Sequence, residues 1–334
     1  MTVPRVLATA TIMGSGARHR QGERGREAVA LVTLYLVWGS TYLAIRLGLD
    51  GFPPFVLGAL RFFIGGGAIL LFLRWRGLPL GDRREWMSAA VVGTLLLLGG
   101  NGLVIWSEQW VPTGVAAVLV ATVPLWTVLL EALLFRAPPS RWAAAAVLVG
   151  TVGVAVLAGP RDWGVGGVPW WGAAALLVAS LSWAAGTVLA RRLSRPTSAL
   201  TATGQQMLFG GLGFAVVALA LGEFARWDPT RTPPTAWAAL AYLVVAGSWI
   251  GFTAYLWLLE HSTPARATSY AYVNPAVAVL LGWALRGEPL TGRVLLALLL
   301  VAGAVALVLR DAVRPVPAAP PARRRRPRSR CPAP

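Results

Sequence analysis

A chain of 334 residues that is 56% hydrophobic and only 13% charged is too apolar for a soluble globular protein, in which about 25% of residues are charged. A net charge of +17 would indicate a nucleic-acid partner in a soluble protein, but here the basic residues are all arginines, placed in the tails and between apolar runs. The charge therefore indicates membrane topology, and no nucleic-acid partner is expected. The single cysteine, Cys331, excludes an internal disulfide bond.

The two ends of the chain are polar and basic. Residues 1–27 are predicted to form a disordered cytoplasmic lead, and their apolar run is at the short limit for a signal peptide. Met13 is an alternative start of translation. Residues 310–334, rich in Arg and Pro, are predicted to form a disordered cytoplasmic tail.

Between these ends lie ten apolar segments, each long enough at 1.5 Å per residue to cross most or all of a hydrocarbon core of roughly 30 Å. Backbone groups in lipid must be satisfied within the segment, so each is predicted to be a helix. The segments are 28–46, 54–74, 87–106, 113–135, 141–158, 169–190, 198–221, 235–257, 264–285 and 292–309.

An internal repeat organises these segments. Residues 113–157 return 151 positions further on without a gap, so that Pro124 corresponds to Pro275. The same shift carries Trp106 onto Trp257. Self-similarity at this scale indicates a duplicated membrane bundle.

Each copy, residues 28–158 and residues 169–309, holds five predicted spans. Because five is odd, the second copy must be inverted relative to the first. The fold class predicted is all-α integral membrane, with ten transmembrane helices as two inverted five-helix repeats, an architecture typical of secondary transporters. Arginines are several times more numerous on the side of the N-terminus, which places both termini in the cytoplasm.

Short motifs recur in order along these spans: Trp38-Gly-Ser-Thr-Tyr42, Ala59-Leu-Arg61-Phe62, the block around Pro124, Ser182-Trp183 through Arg191-Arg192, Asn274-Pro275 and Gly287-Glu288-Pro289-Leu290. With them, residues 30–309 resemble the drug/metabolite transporter superfamily, specifically proteins with two EamA-type repeats. The resemblance implies a ten-helix transporter of the cytoplasmic membrane that moves small metabolites, amino acids or drugs. The acidic residue usual between spans 4 and 5 is Ala137 here, whereas Glu288 keeps it in the second half, so Glu288 is expected to fix a helix end or loop.

Arg61 is the most informative residue, because an arginine within a span costs at least about 2.5 kcal/mol and normally faces the bundle interior with a partner. One interpretation is an anchor for a substrate carboxylate. The other is a structural arginine that reaches the outer surface or holds backbone carbonyls. Its equivalent in the second repeat is Gln206.

Further candidates lie on single helix faces or within spans. Trp38 and Tyr42 share a face of span 1, and Tyr270 and Asn274 share a face of span 9 with Tyr272 beside them. Packing between helices is the alternative for each. The complete set of substrate-cavity candidates is Trp38, Tyr42, Arg61, Asn101, Gln206, Tyr270, Tyr272 and Asn274.

Two acidic residues are further candidates. Glu131 in span 4 is the proton-coupling candidate, since a buried carboxylate can titrate near neutrality; the alternative is an interfacial ion pair with Arg136 or Arg141. Glu108 is expected to be solvated at the outer end of span 3.

The sequence shows no catalytic, metal-binding or nucleotide-binding motif, so no enzyme activity, metal or cofactor is expected. The function predicted is a secondary active transporter, an exporter of small organic metabolites (amino acids, related compounds or drugs) that works by alternating access. The expected partners are a small-molecule substrate and the lipid bilayer. The sequence leaves open whether the protein is a monomer or a homodimer. A non-transporting membrane protein or a membrane-embedded enzyme is the alternative.

Overall fold

The structure, a computed structural model, describes residues 5–135, 140–157, 169–194, 198–262, 267 and 269–312. Every regular element in these ranges is a helix, and the prediction of an all-α protein is confirmed for them. The long helices, numbered in chain order, are α1 (Arg5–Gly48), α2 (Pro54–Trp75), α3 (Arg83–Ser107), α4 (Thr113–Leu134), α5 (Arg141–Leu157), α6 (Trp170–Ala190), α7 (Ala199–Ala220), α8 (Pro234–His261), α9 (Tyr270–Arg286) and α10 (Gly292–Ala312).

Within the described ranges, 7 helices are long and apolar enough to cross a membrane: α2, α3, α4, α6, α7, α8 and the Gly25–Gly48 part of α1. Shorter apolar helices lie in α5, α9 and α10, at Ala144–Gly153, Val273–Arg286 and Gly292–Ala304.

The N-terminal lead differs from its prediction. Helix α1 begins at Arg5, so the stretch that we expected to be disordered up to residue 27 is helical from Arg5 onward. No proline interrupts this stretch, so the apolar helix that follows extends back through it in spite of its four glycines. Of the predicted C-terminal tail, residues 313–334 lie outside the described residues.

Helix starts are fixed by proline and by carboxylates. Helices α2 and α8 begin at Pro54 and Pro234, where the missing amide hydrogen costs nothing. The Glu223 carboxylate accepts hydrogen bonds from the first amides of α2 across the bundle. In the same way, Glu288 accepts from the amide and hydroxyl of Thr113 at the start of α4. The expectation that Glu288 fixes a helix end is confirmed.

Two helices change to π-helical hydrogen bonding in their middle: α3 over Thr94–Gly102 and α8 over Leu243–Phe252. A shift of 151 positions nearly superimposes these two segments. Both are rich in glycine, which lets neighbouring side chains approach the backbone. A Cβ added at Gly100 would collide with the ring of Trp183, and one added at Gly251 would collide with that of Trp38.

Helix pairing follows the repeat. The most extensive contacts join α2 to α7 and α8, α3 to α6 and α7, α5 to α10, α1 to α8 and α9, and α4 to α6 and α9. The set stays the same when each helix is exchanged for its counterpart in the other half, that is, α1 for α6, α2 for α7 and so on to α5 for α10. The α2–α7 crossing is close because glycines line it, as is usual where membrane helices approach tightly.

The α2–α7 crossing gives a direct stability prediction. A Cβ added at Gly66 would lie 2.8 Å from the backbone nitrogen of Leu208, whereas a Cβ at the neighbouring Gly67 meets nothing within 4 Å. Gly66→Ala is therefore expected to destabilise the protein by about 1–3 kcal/mol through overpacking. Gly67→Ala should be neutral or slightly stabilising, because alanine favours the helix. The measurement is the thermal unfolding midpoint in detergent; equal midpoints for the two variants would contradict the packing described.

Candidate functional site

A cavity lies where α1, α2, α3, α4, α6, α8 and α9 meet, with about 650 Å³ of empty space including its mouth. Much of the wall is apolar, formed by Ile45, Phe62, Leu97, Val104, Val120, Val123, Ala179 and Phe252. Polar side chains enter it at a few points: Thr41, Arg61, Asn101, Ser248 and Asn274.

Both π-helical segments line this cavity. Gly100 and Asn101 contribute from α3, and Gly247, Ser248 and Phe252 contribute from α8. Segments of this kind are frequent at functional sites, because the altered hydrogen bonding changes the direction of side chains. The two halves of the chain thus present equivalent irregular segments to one space.

Arg61 is buried at the wall of the cavity, with only 4% of its surface exposed. Its Nε donates a hydrogen bond to Ser248 Oγ at 3.0 Å, and its guanidinium carbon lies 4.7 Å from the centre of the Phe62 ring. Its Nη1 is buried without a hydrogen-bond partner. In the part of the chain that the structure describes, no Asp or Glu side chain forms an ion pair with it.

Opposite the polar groups stands a wall of aromatic rings. The Trp38 ring packs edge-on against Trp183 and Tyr270, with centroid distances of 5.5 and 4.8 Å. Trp38 Nε1 donates to the Gly247 carbonyl at 2.9 Å, which ties α1 to the π-helical segment of α8. Tyr255 completes the cluster, and its hydroxyl is hydrogen-bonded to Thr187 at 2.7 Å. These contacts fix the rings in place.

Comparison with known proteins agrees with this architecture. The sequence model of the EamA-like transporter family matches residues 26–159 and, a second time, residues 170–310. The chain belongs to the EamA-like transporter family. The resemblance seen in the sequence motifs is thereby confirmed, and the function of the chain is that of a transporter.

Named relatives of this family member are themselves transporters, not enzymes. The chain is 40% identical to the uncharacterized inner membrane transporter YedA of Escherichia coli K12, over 84% of this chain and 89% of that protein. It is 22% identical to the uncharacterized transporter YoaV of Bacillus subtilis, over 82% and 93%. A solved crystal structure shares the fold, with a TM-score of 0.66 and 22% identity over 86% of this chain and 99% of that one.

The structure brings six of the eight predicted cavity candidates together: Trp38, Tyr42, Arg61, Asn101, Tyr270 and Asn274 line the cavity. Asn274 also joins α9 to α1. In the orientation of its amide group that suits the neighbouring carbonyls, the nitrogen donates to those of Tyr35 and Tyr270 at 3.3 and 3.1 Å.

Two candidates are placed differently. Gln206 does not line this cavity; it lines a separate, smaller pocket with Gln205 and Glu85. The reason is the close approach of α3 to α7, where Gly93 lies against the Gln206 backbone. Tyr272 lies in α9, but its side chain is outside the described residues.

Glu131 forms an ion pair with Arg191, which was not one of the two expected partners. Its Oε1 lies 3.2 Å from Nη1 of Arg191, and each side chain is 34% exposed. Packing of α4 against α6 brings Arg191, at the end of α6, beside it. Arg136 lies outside the described residues.

The environment predicted for Glu108 from the sequence was wrong. It was expected to be solvated at the end of α3, yet it is fully buried, and neither carboxylate oxygen has a hydrogen-bond partner. Burial and the nearby Glu288 raise the pKa of Glu108 well above its usual value, more than Arg46 lowers it. The repeat offered a signal, because the equivalent position in the second half is Leu259, which is also buried.

The hydrogen bond of Trp38 provides a test of the aromatic wall. Trp38→Phe keeps an aromatic ring but removes the donor to Gly247, and such a bond contributes about 0.5–1.5 kcal/mol. We expect a lower thermal midpoint for this variant in detergent. The control is Trp170→Phe, because Trp170 is 65% exposed, and it should leave the midpoint unchanged. If Trp170→Phe lowers the midpoint as much as Trp38→Phe does, the bond has no stabilising role.

Proposed function

We propose that the protein is a secondary transporter that works by alternating access and exports small organic anions or zwitterions, such as amino acids, related compounds or amphipathic drugs. The observation that carries this proposal is the buried Arg61, which has an unpartnered Nη1 at the wall of a largely apolar cavity.

A buried guanidinium without a carboxylate partner favours an anionic ligand. Burying an unpaired charge is costly, and the hydrogen bond to Ser248 satisfies only the Nε of Arg61. A substrate carboxylate would supply the missing acceptor in the geometry that guanidinium matches best. The aromatic and aliphatic wall would cover an apolar substrate body, so the site favours amphipathic molecules over small inorganic anions.

Two inverted repeats of five helices, residues 28–158 and 169–309, form the transport unit in this proposal. The pairing of helices and the position of the two π-helical segments, both of which follow the repeat, support it. The cavity takes its walls from both halves, as a substrate site between inverted repeats does. Rocking of one half against the other would expose the cavity to each side in turn.

The protein is placed in the cytoplasmic membrane with both termini in the cytoplasm. Two observations support this placement: the excess of arginine on the side of the N-terminus, and the inner-membrane name of the relative YedA. In this proposal the three shorter apolar helices also cross the membrane, which makes ten spans. An even number of spans keeps both termini on one side.

The test is transport into inverted membrane vesicles, with acidic and zwitterionic compounds first selected by comparing the metabolites that cells with and without the protein release. Loss of a charge-assisted hydrogen bond costs about 1.5–3 kcal/mol, so Arg61→Ala should lower uptake by roughly tenfold or more. Arg61→Lys should keep part of the activity, because it keeps the charge but loses the bidentate geometry.

The matched control is Arg74→Ala, since Arg74 lies on the same helix but is exposed. Its uptake should equal that of the unmodified protein. Uptake of every acidic and zwitterionic compound that is unaffected by Arg61→Ala would refute the assignment of Arg61 as the anchor.

A further inference from the structure

Glu108 combines two features that a structural acid does not have. Its side chain is fully buried where α3 ends, and both of its carboxylate oxygens lack a hydrogen-bond partner. The other acids near helix ends are used as caps: Glu223 holds the start of α2 and Glu288 holds the start of α4. Because an ionised carboxylate without partners is unfavourable in such a place, the neutral acid is the form that this environment accepts.

The charged and titratable groups around Glu108 come from two directions. From α1, Tyr42 and Arg46 face it; the Arg46 guanidinium donates to the backbone carbonyls of Glu108 and Gln109 and is not hydrogen-bonded to the carboxylate. From the segment after α9, Glu288 faces it while holding Thr113 through hydrogen bonds at 3.1 and 2.8 Å. The Glu288 carboxyl group is thus held at Thr113, five residues after Glu108.

We propose that Glu108 is a proton-binding site that controls the opening of this end of the cavity. With Glu108 neutral, Glu288 remains on the first turn of α4 and the end is closed. Release of the proton to the adjoining water leaves two carboxylates near each other, and their repulsion displaces Glu288 from Thr113 and Gly114. The first turn of α4 then loses its connection to the segment after α9, and the cavity opens beside Tyr42 and Ile45.

Of the two equivalent positions in the repeats, only one carries the proposed proton-binding acid. The position equivalent to Glu108 in the second repeat is Leu259, so the opposite end has no corresponding acid. Glu131, the acid singled out in the sequence, already has a cationic partner in Arg191 and is partly exposed. Binding or release of a proton at Glu108 would therefore bias the opening of one end only. This inference rests on alternating access, but its test needs no substrate.

The experiment measures the accessibility of a cysteine in the cavity as a function of pH. The unique Cys331 is replaced by serine, and Ile45→Cys, whose native side chain is 2% exposed and lines the cavity, provides the reporter. The full chain in lipid nanodiscs is reacted with a charged, water-soluble methanethiosulfonate. A second reporter, Trp110→Cys at a position 45% exposed, corrects for ionisation of the thiol itself.

The corrected rate at Ile45→Cys is expected to rise about tenfold between pH 5 and pH 9, since one unit of pKa difference corresponds to tenfold in an equilibrium. The rate rises with pH because high pH ionises Glu108, and the ionised form opens this end of the cavity. Glu108→Gln, which imitates the neutral acid, should give a low rate at all pH values. Glu288→Ala removes the connection to α4 and should give a high rate at all pH values.

Two further carboxylate variants distinguish Glu108 from other acids. Glu260→Gln, at an exposed position on α8, and Glu131→Gln should both keep the pH profile. A pH-dependent rate that persists in Glu108→Gln, or that disappears in Glu131→Gln instead, would overturn the proposal. Arg61→Ala should also keep the profile, so a failure of the substrate assignment and a failure of the proton site give different results.

Discussion

The guanidinium of Arg61 is a cation held among apolar helices, and burying a charge without a counter-ion is among the most unfavourable arrangements in a protein. The structure compensates for part of this cost through Ser248 and the ring of Phe62, and leaves one nitrogen unsatisfied. That nitrogen is buried at the wall of a largely apolar cavity. In the proposed function, a ligand that brings its own negative charge would complete the site, whereas a cationic ligand would increase the cost.

At the cavity the two halves of the chain share backbone structure but differ in their side chains. The π-helical segments of α3 and α8 enter the cavity from equivalent positions and supply its backbone scaffold. The side chains differ: Arg61 and Trp38 belong to the first half, and Tyr270 and Asn274 to the second. In the proposed transport cycle, a symmetric frame would let the two halves move against each other, and the asymmetric side chains would give the cavity a chemical preference.

Much of the fold could be predicted from the sequence because its signals are local or repeated. Apolar length and starting prolines such as Pro54 and Pro234 located the helices closely. The repeat identified which helices are equivalent. The motif residues Trp38, Arg61 and Asn274 were correctly brought into one space, because polar or bulky groups within spans face the bundle interior.

Other features depend on contacts that no local pattern records. The π-helical segments are apolar, as other membrane-spanning stretches of the chain are, so composition did not reveal them. The burial of Glu108 depends on α1 and on the segment after α9, both far away in sequence. Gln206 was assigned to the cavity by equivalence with Arg61, but the glycine-lined approach of α3 to α7 turns it elsewhere. The partner of Glu131 likewise depends on how α4 and α6 pack.

The preference for negative charge in the cavity is measured most directly by ligand-induced thermal stabilisation of the purified protein. Matched pairs of small amphipathic carboxylates and their methyl esters would be compared, because the two members differ mainly in the charged group. A ligand that binds the native state raises the midpoint in proportion to its occupancy. The account predicts stabilisation by the carboxylates and little by the esters. Equal stabilisation by both, or stronger stabilisation by organic cations, would contradict it.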